Sequence, residues 1–196
     1  MRTAKIVRTT TETDIELRLD LDGAGRADIN TGCGFLDHML NLFAAHSRFD
    51  LSIRCRGDME VDAHHTTEDV GLCLGHALKE ALGGKEGIWR YGDMVLPMDE
   101  ALVLCAVDLS GRSHLTYDIK VPSAKVGNFD TELAEEFFAA LSRSAALTLH
   151  LRQLAGSNTH HILEAVFKAC ARALRQACAM DPGIGGQVPS TKGTLI

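Results

Sequence analysis

Between Ile15 and Leu21, Ile15, Leu17, Leu19 and Leu21 alternate with Glu16, Arg18 and Asp20. A two-residue period puts every second side chain on one face, so the stretch predicts a half-buried strand that Gly23 to Gly25 then turns. A second strand is predicted over Arg26 to Asn30. From Gly34 to His46 the period changes, and Leu36, Met39, Leu40 and Phe43 recur at the spacing of one helical face. Leu51, Ile53 and Cys55 return to alternation. The next helix is predicted to start near His65 to Thr67, run through Val70, Leu74, Ala77, Leu78 and Ala81, and stop at Gly83-Gly84.

The second part of the chain repeats this order. Strands are predicted at Asp93 to Leu96, Ala101 to Leu109 and His114 to Ile119, a helix over residues 131 to 147, and a strand over 148 to 152. A last helix runs from about His161 to Ala179, turns Leu163, Val166, Phe167, Cys170, Leu174 and Cys178 inward, and ends before Asp181-Pro182. An offset of 96 residues maps His64 onto His160, His65 onto His161, Glu68 onto Glu164, and Ala77-Leu78 onto Ala173-Leu174. One duplicated unit accounts for this, with halves of about 1–92 and 93–196 sharing a core in a single domain spanning 1–196. The expected class is α+β: duplicated half-domains, each a mainly antiparallel sheet with two helices packed on it.

Composition narrows the function. A formal charge of −6 excludes a general binder of phosphate backbones, though not a local cationic pocket. One Trp and two Tyr leave little for stacking bases. The six cysteines form no CxxC and are expected to be reduced in a cytoplasmic protein. The N-terminal stretch mixes charge into every few positions, unlike a signal peptide, and ALVLCAV is far shorter than a bilayer span, so a soluble chain with no membrane partner is expected.

The duplicated element carries the chemistry. In DAHHTTED and NTHHILEA two adjacent histidines precede a glutamate. Four residues apart on a helix, His64 and Glu68 share a face and can converge on one ion, while His65 points elsewhere. A single HHxxE is as easily a surface or a cap. Two copies in matching contexts favour metal, and imidazole with carboxylate and no thiolate suits Mn, Fe or Zn, here as a two-metal cluster. His38 lies on a polar flank of its helix, with its duplicate position near Glu136, and His46 sits two turns further on; His150 lies on a strand with no evident role. A scattered cationic set comprises Arg90, Arg112, Lys168 and Lys192, with Ser190, Thr191 and Gly193 adding hydroxyl and backbone donors suited to an oxyanion. Taken singly, each is a solvated charge. A di-metal hydrolase and a non-catalytic metal-storage or sensing protein are the competing readings, and the second leaves the cationic set unexplained.

FLDHML, DAHHTTEDVGLCLG, MDEALVLCAVDLSGR, LTLHLRQLAGSNTHHILEAVFKACARALRQA and PSTKG together resemble the imidazoleglycerol-phosphate dehydratase family over nearly the whole chain. The resemblance implies the ribosomal protein S5 domain 2-like fold in each half. It also implies the dehydration of D-erythro-1-(imidazol-4-yl)glycerol 3-phosphate to 3-(imidazol-4-yl)-2-oxopropyl phosphate and water, in L-histidine biosynthesis. The proton removed is not beside a carbonyl, so the family uses the imidazole ring, held as imidazolate by two Mn2+ ions, to expel the neighbouring hydroxyl through a diazafulvene-like intermediate. By motif, His38, His65, His160 and Glu164 surround one ion and His64, Glu68 and His161 the other, where Glu136 stands in place of a histidine found in some members and His150 is its rival. These ligands also border the substrate, and Glu68 and Glu164 count among the catalytic carboxylates. Glu12 matches the family's acidic residue near the reacting carbons and is the candidate for proton transfer together with His46. Arg90, Arg112, Lys168, Ser190, Thr191 and Lys192 are implied to hold the phosphate and chain hydroxyls, Thr191 replacing a frequent serine. The family assembles as a 24-subunit shell with active sites shared between chains.

Overall fold

A computed structural model describes residues 1–195 of the chain. The first half contains strands β1 (Thr3–Thr9), β2 (Thr13–Asp20) and β3 (Ala27–Asn30), helix α1 (Gly34–Ser47), strand β4 (Asp50–Gly57) and helix α2 (His64–Leu82). The second contains β5 (Tyr91–Met98), β6 (Ala101–Asp108) and β7 (His114–Asp118), a small hairpin β8 (Lys125–Val126) and β9 (Phe129–Asp130), helix α3 (Leu133–Ala145), β10 (Thr148–Ala155) and α4 (Thr159–Cys178). The sheets have orders β1-β2-β4-β3 and β5-β6-β10-β7. In each, three strands are antiparallel and the last pairs in parallel, β3 with β4 and β7 with β10. The chain is an α+β fold of two similar halves, as its hydrophobic pattern predicts.

Each sheet buries one face. In β2 the residues Thr13, Ile15, Leu17 and Leu19 are buried while those between them are not. Helix α2 packs on β1 and β2, and α4 on β5 and β6. Between the halves the helices pair crosswise, α1 with α4 and α2 with α3. Phe137, Phe138 and Phe167 form the aromatic centre of this layer, with ring centroids 4.8 to 5.1 Å apart. Small residues allow the α2–α3 approach: a Cβ on Gly75 would lie 1.9 Å from Ser144 Oγ and 2.6 Å from the Leu141 carbonyl oxygen.

Three expectations require correction. Strand β1 is absent from the sequence reading because it is an edge strand with one buried side chain, Ala4, and so lacks an alternating signal. The β8–β9 hairpin is likewise new, and it breaks the constant offset of 96. Thr13 of β2 corresponds to Ala101 of β6, whereas Asp50 of β4 corresponds to Thr148 of β10, since the extra residues fall between β7 and α3. Helix α2 begins at His64, without a capping side chain; Asp62 Oδ1 instead accepts from the His64 backbone N–H at 2.7 Å. Helix α4 begins at Thr159, where Asn158 accepts from the His161 N–H at 3.2 Å.

Candidate active site

The crosswise pairing brings His38 of α1 to the first turns of α4. Glu164 Oε2 lies 3.2 Å from His160 Nε2 and 3.4 Å from His38 Nε2. The ligand-capable atoms of His38, His160 and Glu164 all fall within 4.8 Å of one another. Among the described residues this is the one set of three or more that could hold an ion. Glu164 is buried and its other oxygen accepts from Lys168 Nζ, one turn further along α4. Burial pushes the Glu164 carboxyl upward, but Lys168 and the two imidazoles outweigh it, so its pKa lies below the ordinary value. His46 is half-buried on the same α1–α4 seam, and burial, then the Lys168 and Arg172 charges, hold its pKa below that of a free imidazole. His38, His46, His160, Glu164 and Lys168 therefore form one strip.

The α2–α3 seam is its counterpart. Helix α2 carries His64 and Glu68, and α3 carries Glu136 at the position matching His38. Here Glu68 Oε1 accepts from Arg143 Nη2 at 2.8 Å, and Glu136 is exposed. His150 stands elsewhere. Leu149 and Leu151 face the core, so His150 projects from the outer face of β10, its ring 5.4 Å from that of His114.

The second histidine of each motif turns away from its neighbour. The rings of His64 and His65 lie at 86° and those of His160 and His161 at 80°. Neither His65 nor His161 joins the clusters that their first histidines face. His65 Nδ1 pairs with Asp58 at 2.9 Å, and its Nε2 lies 3.7 Å from Glu12. His161 Nδ1 pairs with Glu100 at 2.7 Å. Such a bond fixes the tautomer and leaves Nε2 as the free ligand atom. Asp58 and Glu100 are additions to the site that sequence reasoning missed. The duplication carried a signal for Glu100, because TTET (10–13) and MDEA (98–101) align when Thr13 is matched to Ala101.

The remaining cations lie at the other end of the second half. Arg90 donates to the Asp108 carboxylate through Nε and Nη2, at 2.7 and 3.1 Å, and its Nη1 donates to the Pro189 carbonyl at 2.9 Å. It thus holds the segment carrying Ser190, Thr191 and Lys192. In that segment Lys192 N donates to Ser190 Oγ at 3.2 Å. Exposed Arg112 follows β6 in the adjoining turn, where Ser110 Oγ accepts its N–H at 3.2 Å. The Arg90 N–H donates to the Ala177 carbonyl near the end of α4. From His160 to Ala177 the helix rises about 25 Å. A cavity of about 680 Å³ opens on the outer face of the first sheet beside Lys5, Arg18, Asp28 and Ser52, none of them a candidate.

The family model for imidazoleglycerol-phosphate dehydratase matches residues 31–174. The chain belongs to the imidazoleglycerol-phosphate dehydratase family. The dehydratase of Shouchella clausii is 59% identical over 194 residues, covering 99% of both chains, and that of Jannaschia sp. is 56% identical over 195 residues, covering all of both. The crystal structure of the Staphylococcus aureus dehydratase superposes with a TM-score of 0.84 at 43% identity, covering 91% of this chain and 99% of that one. The Pyrococcus furiosus dehydratase gives 0.84 at 39%, covering 97% and 100%. The chain is accordingly a hydro-lyase of histidine biosynthesis. Among the described residues no helix is long and apolar enough to cross a membrane.

Proposed function

We propose that the dehydratase reaction is the Mn2+-dependent conversion of D-erythro-1-(imidazol-4-yl)glycerol 3-phosphate to 3-(imidazol-4-yl)-2-oxopropyl phosphate, in sites built between neighbouring chains of a cytoplasmic homo-oligomer, a 24-mer. The observation that carries this reading is the convergence of His38, His160 and Glu164 from two halves of the chain. Two imidazoles and a carboxylate, with no thiolate, fit a borderline ion such as Mn2+. His65 of a neighbouring chain completes this set. His64, Glu68 and Glu136 with a neighbour's His161 form the second, and His150 faces the wrong side of its sheet to replace Glu136. Two ions per site supply Lewis acidity and orientation to the substrate ring.

The chain's own groups do the rest. Glu12 stands at the β1–β2 turn beside His65, its carboxylate half-exposed, and moves the proton of the central carbon. His46, its pKa held below that of a free imidazole by burial and by Lys168, is the second proton carrier and serves the departing hydroxyl. Lys168 holds Glu164 and faces the substrate chain. Arg112, Ser190, Thr191 and Lys192 bind the phosphate, with Arg90 fixing their segment. The three-carbon chain of the substrate spans only about 5 to 8 Å, far less than the separation of the two clusters along α4. This supports a site that takes its imidazoles from one chain and its Lys192 from another. The six cysteines are all free, in keeping with a reducing cytoplasm.

The test is turnover of imidazoleglycerol phosphate by purified protein, metal-stripped and then reloaded with Mn2+, reading the enolisable ketone. The expected result is activity that is lost on stripping and restored by Mn2+. Full activity in the stripped protein overturns the metal reading, and no ketone under any metal overturns the reaction.

A further inference from the structure

The duplication supplies an internal control on one polar cluster. Asp69, next to Glu68 on α2, is buried, and its Oδ2 accepts from the hydroxyl of buried Thr13 at 2.5 Å. Its Oδ1 pairs with Arg8 Nη2 at 2.9 Å. Thr13 is the residue after Glu12, and the turn is closed further by Thr10, whose Oγ1 accepts from the N–H groups of Glu12 and Thr13 at 3.1 and 3.0 Å. In the second half the matching positions are Leu96, Ala101 and Ala165, all buried and apolar. At these three positions the same strand pair and the same helix thus pack without a polar tether. Burying the Asp69 carboxylate beside Thr13, with only the part-exposed Arg8 to pair it, is costly, and a well-packed apolar trio is ordinarily at least as stable. The fold does not explain the cluster.

The turns themselves do. Glu100 is the duplicate of Glu12, and its carboxylate is fully engaged: it accepts from Ser157 N at 3.2 Å, Asn158 N at 2.7 Å and His161 Nδ1 at 2.7 Å. Glu100 anchors its own turn. In the first half Asp58 takes the Nδ1 of His65, and Glu12 Oε1 has only His65 Nε2 at 3.7 Å as an ion-pair neighbour among the described residues. The anchor has moved one residue along, to Thr13. We infer that Arg8, Thr13 and Asp69 are positioning residues that hold the Glu12 turn through its backbone and so leave the Glu12 carboxylate free for proton transfer.

This inference rests on the role proposed for Glu12, and the experiment separates the two. In Mn-loaded protein, Thr13→Val removes the hydroxyl while keeping shape, Thr13→Ser restores it, and the triple variant Arg8→Leu, Thr13→Ala, Asp69→Ala imports the second half's own residues. Glu12→Gln is the control. The expected result is a kcat about 10- to 100-fold lower for Thr13→Val and the triple variant, with KM changed less than about twofold and Thr13→Ser close to wild type. Mn2+ stoichiometry, oligomer size and melting temperature should stay at wild-type values. If Glu12→Gln abolishes turnover while Thr13→Val and the triple variant retain it, the tether is structural only and the inference is wrong. Loss of Mn2+ from Thr13→Val also overturns it, since the cluster would then act through Glu68. Full activity in Glu12→Gln overturns the role of Glu12 itself.

Discussion

Replacing Gly75 by alanine tests whether the α2–α3 seam is set by backbone approach. An alanine in an open helix position is better than glycine by about 0.5–1 kcal/mol. At Gly75 the added Cβ would stand 1.9 Å from Ser144 Oγ, 2.6 Å from the Leu141 carbonyl and 2.9 Å from the Ala145 nitrogen. Ser144 can rotate, but it then gives up its 2.7 Å bond to the Ala140 carbonyl, at about 1 kcal/mol. The two backbone atoms cannot rotate away, so the helices must separate, and such overpacking costs about 1–3 kcal/mol. The net loss is about 1–3 kcal/mol, which lowers the melting temperature of a chain this size by about 2–12 °C. Melting is read on metal-free protein at fixed concentration, because assembly and ions both shift it. Gly34→Ala is the control: its Cβ meets nothing within 4 Å, so it should leave the melting temperature unchanged or raise it. Since α2 carries His64 and Glu68, the ligands proposed for one of the ions, Gly75→Ala should also weaken Mn2+ uptake. A melting temperature for Gly75→Ala at or above wild type would refute the close-approach argument, because propensity alone predicts that sign.

Three further outcomes are expected. His38→Ala removes one imidazole from the α1–α4 strip and should reduce bound Mn2+ from two to one per chain by elemental analysis; two tightly held ions would show that His38 is not a ligand. Arg90→Gln deprives Asp108 and the Pro189 carbonyl of their donor, so residues 187–193 should be cleaved faster by proteases and KM should rise by about tenfold, a loss near 1.4 kcal/mol; unchanged proteolysis would show that the segment is held by other means. Burial pushes the Cys73 and Cys178 thiols up to about 12 and Cys55 up to about 11, so at pH 8 these three should alkylate slowly in the native protein and fully in denaturant. Rapid native labelling of Cys73 or Cys178 would contradict the burial described.

How much of this was legible in the sequence depended on which side chains are half-buried. Strand β2 alternates because one face meets helices and the other water, whereas β6 is apolar on both faces, one buried and the other half-buried. Edge strand β1 buries only Ala4, leaving its pattern mute. The motif helices were visible from the HHxxE repeat, and the start of α2 was misplaced because Ala63 caps nothing by its side chain. That the repeat is a structural duplication was readable; that its helices pair crosswise was not, because α1–α4 contact is set by tertiary packing. The perpendicular turn of each histidine pair followed from helical spacing. Asp58, Asp69 and Glu100 carry no local signal, since each acts only through a partner distant in sequence, and the shifted register around the β8–β9 hairpin concealed the match of Glu12 with Glu100.

The separation between the imidazole–carboxylate strip and the Lys192 segment makes sharing between chains the central claim, and mixed oligomers test it most directly. His38→Ala and Lys192→Ala chains, each inactive alone, are mixed in equal amounts, dissociated, and reassembled with Mn2+. If each site takes its strip from one chain and its Lys192 from another, about a quarter of the sites in the symmetric assembly are intact, and about a quarter of wild-type activity returns. Activity no higher than the two variants alone would contradict the account.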